Sequence, residues 1–154
     1  MLQGEFPHRP HAAVVCIGVN DVLRRDCASS QDLASYAGTL REIVNRLKRT
    51  GAEVIVVPPL LYGEAPRGSN AKDRELDAYA DVAALVAERS SVRFVDARSA
   101  LFSELQQIGE ISALHNTLTV DGLHLSPAGN RVLADVVYPE LVSFHAATKG
   151  RSKN

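Results

Sequence analysis

The chain has 154 residues, of which 45% are hydrophobic, and a formal net charge of −1 at pH 7. This length suits one domain with a substantial core, and the near-neutral charge, without a block of one sign, argues against nucleic acid as the main partner. No apolar run approaches the ~20 residues of a membrane-spanning helix. Residues 1–10 contain no apolar core of a signal peptide.

The whole chain, residues 1–154, is predicted to form one domain, with disordered ends at residues 1–11 and 148–154. His8 and His11 lie in the first of these ends without the partner residues of a metal site. No internal repeat or linker divides the sequence. We therefore expect a single folded unit and no bound metal.

The two cysteines lie on either side of a predicted active-site loop. Cys16 falls within a predicted buried strand, whereas Cys27 follows the loop. Because a buried strand residue is poorly placed for pairing, we expect two free thiols. Free thiols are typical of a reducing compartment, so the predicted location is cytoplasmic.

Apolar strands alternate with helices along the chain. The strands are predicted at residues 12–17, 53–57 and 92–96, and the helices at about 30–50, 69–89, 101–106 and 127–147. The first strand is a continuous apolar run, which is typical of a strand buried on both faces of a parallel sheet. One helical crossover between successive strands predicts a parallel sheet with right-handed connections.

Local signals mark the ends of two of these helices. Ser29 and Asp32 have the spacing of a capping box at the first long helix. Ser126 is the predicted N-cap of the last helix, with Pro127 at its first position. Pro139 lies inside the last helix and is predicted to kink it.

Two polar motifs lie at the predicted carboxyl edge of the sheet, where open α/β sheets carry their functional groups. Gly18, Asn20 and Asp21 follow the first strand, and Asp121 precedes His124 by three residues just before the last helix. A carboxylate that close can accept a hydrogen bond from one imidazole nitrogen, which leaves the other nitrogen free to take a proton. Each motif alone also fits turn and helix-capping chemistry, so the functional argument depends on the pair.

Together the motifs resemble the SGNH, or GDSL-type, ester hydrolase family. The sequence IGVND is similar to its third block, GxND, and DGLHLSPAGN is similar to its fifth block, DxxH. The downstream sequences YADVAALVAERSSVRFVDARSALFSEL and VDGLHLSPAGNRVLADVVYPEL are most similar to the isoamyl acetate-hydrolysing esterase branch. The resemblance covers about residues 10–145 and implies a three-layer α/β/α fold of flavodoxin-like type with a parallel sheet.

The resemblance also implies a role for each matching residue. His124 would be the general base that activates a serine, and Asp121 would orient His124. Asn20 would donate its amide to the oxyanion, an interaction worth roughly 3–4 kcal/mol in the transition state. Gly18 would permit the turn that aims Asn20, and Asp21 would brace that turn. The implied substrate is a small ester with a short acyl chain, and no metal or organic cofactor is implied.

The family's first block, which carries the serine nucleophile, and its second block have no counterpart in the sequence. Residues 1–17 precede Gly18, which is too short a stretch for a further βαβ unit of about 30 residues. The serines of the chain are predicted at helix caps or beside helices, and none lies on a strand-to-helix elbow. We therefore expect an N-terminally truncated form of the fold, with an open edge on the first strand that a partner chain or oligomer would cover.

Three explanations of the absent nucleophile stay open: a fragment or mis-started gene product, completion by another chain, or a degenerate relative. The main hypothesis is a carboxylic ester hydrolase whose chain is inactive alone. The alternative is a non-catalytic, ligand-binding or partner-binding domain on the same scaffold. A phosphate or nucleotide binder is disfavoured because no glycine-rich phosphate loop follows any predicted strand.

Overall fold

A computed structural model describes residues 10–24, 27–109 and 116–151, with backbone alone for residues 145–151. Residues 1–9 and 152–154, which belong to the two predicted disordered ends, lie outside the described residues, and so does His8, whereas residues 148–151 of the second end are helical. The strands are β1 (Ala12–Cys16), β2 (Glu53–Val57) and β3 (Arg93–Phe94). The helices are α1 (Val19–Leu23), α2 (Ser30–Arg49), α3 (Asp73–Arg89), α4 (Ala97–Ile108) and α5 (Pro127–Arg151).

The described strands form one parallel sheet in the order β1-β2-β3. Val14 of β1 lies opposite Ile55 of β2, and Val56 lies opposite Phe94 of β3. Helices α2 and α3 pack on one face of the sheet, and α5 packs on the other. The predicted three-layer α/β/α fold with a parallel sheet is therefore confirmed.

The central strand β2 supplies both layers of the core. Val54 and Val56 pack towards α2 and α3, whereas Ile55 and Val57 pack towards α5, and all four side chains are buried. This alternation follows from the two-residue period of a strand. A strand between two helical layers has no polar face, which explains why the sequence EVIVV is apolar almost throughout.

Strand β1 differs from its prediction. Val15 is buried, but Val14 is 44% exposed and Cys16 is also exposed. The reason is that β1 is an edge strand of the described sheet, and the described helices leave its α5 side open. Both cysteines are free, as predicted, but the predicted burial of Cys16 is wrong.

The caps at Ser29 and Ser126 are confirmed. Ser29 and Asp32 form a complete capping box at the start of α2. Ser126 accepts a hydrogen bond from the N–H of Gly129 at 3.2 Å, which satisfies a free donor in the first turn of α5. Helix α5 continues through Pro139 and ends beyond the predicted stop near residue 147, at Arg151. The kink at Pro139 stays a prediction.

The start of α3 lies four residues later than predicted. The Asp73 carboxylate accepts hydrogen bonds from the N–H groups of Gly68 and Asn70, at 2.8 and 3.1 Å. These bonds hold the preceding residues in turns, so the helix begins at Asp73 rather than Ser69. Side chains such as Ser, Asn and Asp can either cap a helix or stabilise a turn. The sequence alone does not distinguish these two roles.

Helix α4 starts earlier than predicted, at Ala97 rather than near residue 101. The carboxylate of Asp96 caps the helix by accepting a hydrogen bond from the N–H of Ser99 at 3.0 Å. Strand β3 is correspondingly short, at Arg93–Phe94. No helix in the described part of the chain is both long enough and apolar enough to cross a membrane.

Candidate active site

The turn after β1 requires glycine at position 18. Gly18 has φ 116° and ψ −19° and is the N-cap of α1. A Cβ atom at this position would lie 3.0 Å from Cε2 of Tyr36, whose hydroxyl donates a hydrogen bond to the carbonyl of Ile17 at 3.2 Å. The turn therefore combines a backbone that favours glycine with a close aromatic neighbour. It places Asn20 and Asp21 in the first turn of α1.

The DxxH motif lies at the tip of a pinched loop, residues 117–126, which we call the His124 loop. Thr119 and Leu125 form an antiparallel bridge across the loop. The N–H of Val120 donates to the carbonyl of His124 at 2.8 Å. The loop is therefore closed by backbone hydrogen bonds, and its tip carries Asp121 and His124.

The first turn of α5 holds the base of this loop. A Cβ atom at Gly129 would lie 2.1 Å from the carbonyl oxygen of Leu118, so only glycine permits this approach. The hydroxyl of Ser126 donates to the carbonyl of Thr117 at 2.8 Å. Ser126 thus caps α5 and fastens it to the other side of the loop.

Asp121 accepts three hydrogen bonds at the tip. Its Oδ1 accepts from the N–H groups of Leu123 and His124 at 3.0 and 2.8 Å, and its Oδ2 lies 2.7 Å from Nδ1 of His124. The backbone N–H of His124, then the His124 ring and the N–H of Leu123, lower the pKa of Asp121 to about 2. An ionised carboxylate can only accept, so Nδ1 of His124 carries the proton. This leaves Nε2 as the nitrogen with a lone pair.

Asn20 and His124 line one cavity of about 180 Å³ at the carboxyl ends of β1 and β2. Its other lining residues are Cys16, Ile17, Val19, Pro59, Leu60, Leu61 and Leu123. The structure therefore brings the two predicted motifs to one cleft with mainly apolar walls. The side chains of His124 and Asp121 are 73% and 51% exposed, so the cleft is open on that side.

Cys16 also lines this cleft, and its side chain is a thiol, which is a nucleophile when it is deprotonated. Its Sγ lies 3.5 Å from the carbonyl oxygen of Pro58 and donates a weak hydrogen bond to it. Although the residue exposes surface at the sheet edge, burial of its thiol raises the pKa to about 11. The thiol is therefore protonated near neutral pH, whereas reactive cysteines have lowered pKa values.

A buried arginine fixes the segment after β2 that forms one wall of the cleft. Arg98 is wholly buried, and its guanidinium donates to the carbonyl of Leu60 and to the carboxylates of Asp73 and Asp77. The contact between Arg98 and Asp73 is 2.9 Å long. Buried charges need such paired and hydrogen-bonded partners. The network ties the cleft wall to α3 and α4.

Glu64, a buried residue behind the His124 loop, was not predicted from the sequence. Its side chain is 5% exposed, and its carboxylate accepts hydrogen bonds from the N–H groups of Thr117 and Leu118 at 2.7 and 2.9 Å. Backbone N–H groups occur at almost every residue, so these partners leave no pattern in the sequence. The available signal was a single acidic residue in the segment after a buried strand.

Within the described residues, no group of three or more His, Cys, Asp or Glu side chains has an arrangement that could hold a metal ion. His11 is described and lies outside the cleft. The polar groups that line the cleft include the amide of Asn20, the thiol of Cys16 and the imidazole of His124, and Asp121 binds that imidazole.

Comparison with solved structures identifies relatives of the same fold. An acetyl xylan esterase, AlAXEase, has a TM-score of 0.76 and 22% identity, over 86% of this chain and 67% of that one. Axe2, an acetylxylan esterase from Geobacillus stearothermophilus, has a TM-score of 0.68 and 26% identity, over 86% of this chain and 59% of that one. Two other Axe2 structures are of catalytic mutants, with alanine in place of a serine or a histidine.

Sequence comparison also identifies esterases as relatives of this chain. A GDSL esterase/lipase of Arabidopsis thaliana is 26% identical over 147 residues, which cover 83% of this chain and 58% of that protein. The chain thus spans between 58% and 67% of the length of these relatives. Residues 1–132 match the sequence profile of the GDSL-like Lipase/Acylhydrolase family. The chain therefore belongs to the GDSL-like lipase/acylhydrolase family.

Proposed function

We propose that this chain carries the base and the oxyanion donor of a serine ester hydrolase of the SGNH type. The observation that carries the proposal is the shared cleft, in which Asn20 and His124 line one cavity. Asp121 binds Nδ1 of His124 at 2.7 Å, which is the geometry of an oriented general base. Gly18 has the supporting role, since its turn sets the position of Asn20.

Each group has a defined part in the reaction. Nε2 of His124 takes the proton of a serine hydroxyl as the serine oxygen attacks the ester carbonyl. The amide of Asn20 donates to the oxyanion of the tetrahedral intermediate, and Asp121 stabilises the imidazolium. His124 then protonates the leaving alkoxide, which releases the alcohol and leaves an acyl-enzyme. In the second half, His124 takes a proton from water as the water oxygen attacks the acyl carbon, and it returns that proton to the serine oxygen as the acyl–serine bond breaks and the carboxylic acid leaves.

The serine is proposed to come from sequence outside these 154 residues. No serine is among the residues that line the described cleft. The protonated thiol of Cys16 is a poor replacement. The longer relatives offer a precedent, because one catalytic mutant of Axe2 replaces a serine. On this proposal the chain alone is nearly inactive.

The proposed substrates are short-chain carboxylic esters, and acetate esters above all. The apolar walls and the volume of about 180 Å³ suit an acyl group of few carbons. Acetyl esters are also what the isoamyl acetate esterase branch and the acetylxylan esterases have in common. A cytoplasmic location is part of the proposal and agrees with two free thiols.

A second candidate is a non-catalytic domain that binds a ligand or a partner chain. It is favoured by the open edge of the sheet, where Val14 of β1 is 44% exposed. An exposed apolar edge strand is a template for pairing with another chain. Such a domain would keep the cleft and its motifs without turnover.

Hydrolysis of nitrophenyl acetate tests the main proposal. The 154-residue chain and a chain extended by the natural sequence encoded upstream of Met1 are assayed side by side. We expect near-background rates from the first and turnover from the second. His124→Ala should lower kcat of the extended chain by at least about 10³-fold, and His11→Ala, a histidine outside the cleft, should leave it unchanged.

Each other outcome has a distinct meaning. Turnover that His124→Ala leaves unchanged would contradict the proposed site. Turnover of the 154-residue chain that His124→Ala abolishes would place a nucleophile within the chain, and Cys16→Ala would then test the thiol. Absence of turnover in both chains would favour the non-catalytic domain.

A further inference from the structure

The proposed reaction does not use the buried carboxylate of Glu64. We propose that Glu64 is a positioning residue, which holds the His124 loop in the conformation that presents the Asp121–His124 pair to the cleft. The importance of this role for turnover rests on the proposed function. The structural role itself concerns the loop and is measurable without turnover.

The carboxylate of Glu64 is surrounded by donors from one short stretch of the loop. Oε2 accepts from the N–H of Thr117 at 2.7 Å, and Oε1 accepts from the N–H of Leu118 at 2.9 Å. Oε1 also accepts from the N–H and the hydroxyl of Thr119. Three consecutive N–H groups that converge on one anion form a backbone anion site of the nest type. The anion here is a side chain of the same protein, more than 50 residues away in sequence.

A relay connects this anion site to the tip of the loop. The Thr119 hydroxyl gives its hydrogen to Glu64, so its lone pairs are free to accept the N–H of Gly122, at 3.1 Å. The carbonyl of Gly122 accepts from the N–H of Gly63 at 2.7 Å. Residues 63 and 64 therefore restrain Gly122 through both its N–H and its carbonyl. Gly122 follows Asp121 directly, so the restraint acts between the two members of the catalytic pair.

The site selects a glutamate by charge and by length. A carboxylate offers two oxygens that only accept, which matches four donors, whereas a glutamine amide adds a donor that would face them. An aspartate is one methylene shorter and would not span the same distance. Because Glu64 is 5% exposed, its charged hydrogen bonds are in a low-dielectric setting, where they are strong when satisfied.

The test is the tautomer of His124, read from the ¹⁵N shifts of its ring by NMR at a pH where the ring is neutral. In the wild-type chain we expect the Nδ1–H form to dominate, because Asp121 accepts at Nδ1. In Glu64→Gln the ratio of the Nδ1–H to the Nε2–H form should fall about tenfold, which corresponds to ~1.4 kcal/mol. Thr119→Val should lower the ratio as well. Thr119→Ser, which keeps the hydroxyl, should have the wild-type ratio.

The matched control is Val86→Ala, a core truncation in α3 that is remote from the loop. It lowers global stability but should leave the tautomer ratio unchanged. A wild-type ratio in folded Glu64→Gln, or an equal change in Val86→Ala, would overturn the proposal. If Glu64→Gln does not fold, Thr119→Val and Thr119→Ser decide the question, and equal ratios in these two variants would overturn it. The readout needs no esterase activity, so failure of the proposed function leaves this test intact.

Discussion

Glu64 and Asp121 are two carboxylates that hold the same loop in opposite ways. Glu64 is buried and binds N–H groups more than 50 residues away, at the base of the loop. Asp121 is exposed and binds N–H groups two and three residues away, at the tip. Each accepts several hydrogen bonds, but only Asp121 also contacts the imidazole of His124.

Because one carboxylate is buried and the other is exposed, we expect their removal to affect different properties of the protein. When a buried acceptor is removed, water does not reach the donors that it leaves behind, so the free energy of unfolding falls. When an exposed acceptor is removed, water takes its place as hydrogen-bond partner. The main effect is then on the orientation of the group that the acceptor held. We therefore expect Glu64 variants to affect mainly folding and Asp121 variants to affect mainly turnover.

The largest expected effect is on turnover in Asp121→Asn. An asparagine amide can present its N–H₂ to Nδ1 of His124, which favours the tautomer without a lone pair on Nε2. In the extended chain, kcat should fall by about 10⁴-fold, with little change in the urea midpoint. Asp81→Asn, an exposed carboxylate on α3, is the matched control. Unchanged kcat in Asp121→Asn would contradict the proposed role of Asp121 in orienting His124.

The next effect is on stability in Glu64→Ala. Loss of the carboxylate leaves several buried donors of residues 117–119 unsatisfied, at about 1–3 kcal/mol each before relaxation. The free energy of unfolding in urea should fall by roughly 3 kcal/mol or more. Glu88→Ala, an exposed glutamate on α3, should change it by less than about 0.5 kcal/mol. A loss of that smaller size in Glu64→Ala would mean that water replaces the carboxylate.

The smallest effect concerns acid pH. The pKa of Asp121 is lowered from 3.8 to about 2, mainly by the N–H of His124, so its contribution to stability is complete above 3.8 and is lost as the pH falls through about 2. The change in unfolding free energy is small because the group is exposed. A ¹³C titration of the Asp121 carboxyl should give a midpoint near 2. A midpoint near 3.8 would contradict the hydrogen bonds at the tip.

The sequence predicted the parts of this fold that depend on local patterns. The capping box at Ser29, the apolar strand β2 and the motifs at residues 18–21 and 121–124 are each encoded in adjacent residues. The motifs lie about a hundred residues apart, but the rule that functional groups gather at the carboxyl ends of parallel strands predicted that they lie together. The cavity lined by Asn20 and His124 agrees with that rule.

The features that the sequence did not predict depend on what packs against a residue. β1 and β2 have nearly the same apolar pattern, yet Val14 is exposed and Ile55 is buried, because the described elements cover only one of the two positions. Glu64 was missed because its partners are backbone groups, which have no residue signal. The carboxylate of Asp73 stabilises the turns before α3, and Asp73 is also the first residue of that helix. For this reason α3 starts later than the sequence predicted.

The central claim is that Asn20 and His124 act on one ester carbonyl. Its most direct test is kcat and KM of Asn20→Ala in the extended chain, with nitrophenyl acetate as the substrate. Because the amide acts on the oxyanion of the transition state, kcat should fall by about 10²–10³-fold with little change in KM. An unchanged kcat, in a chain whose turnover His124→Ala abolishes, would contradict the claim.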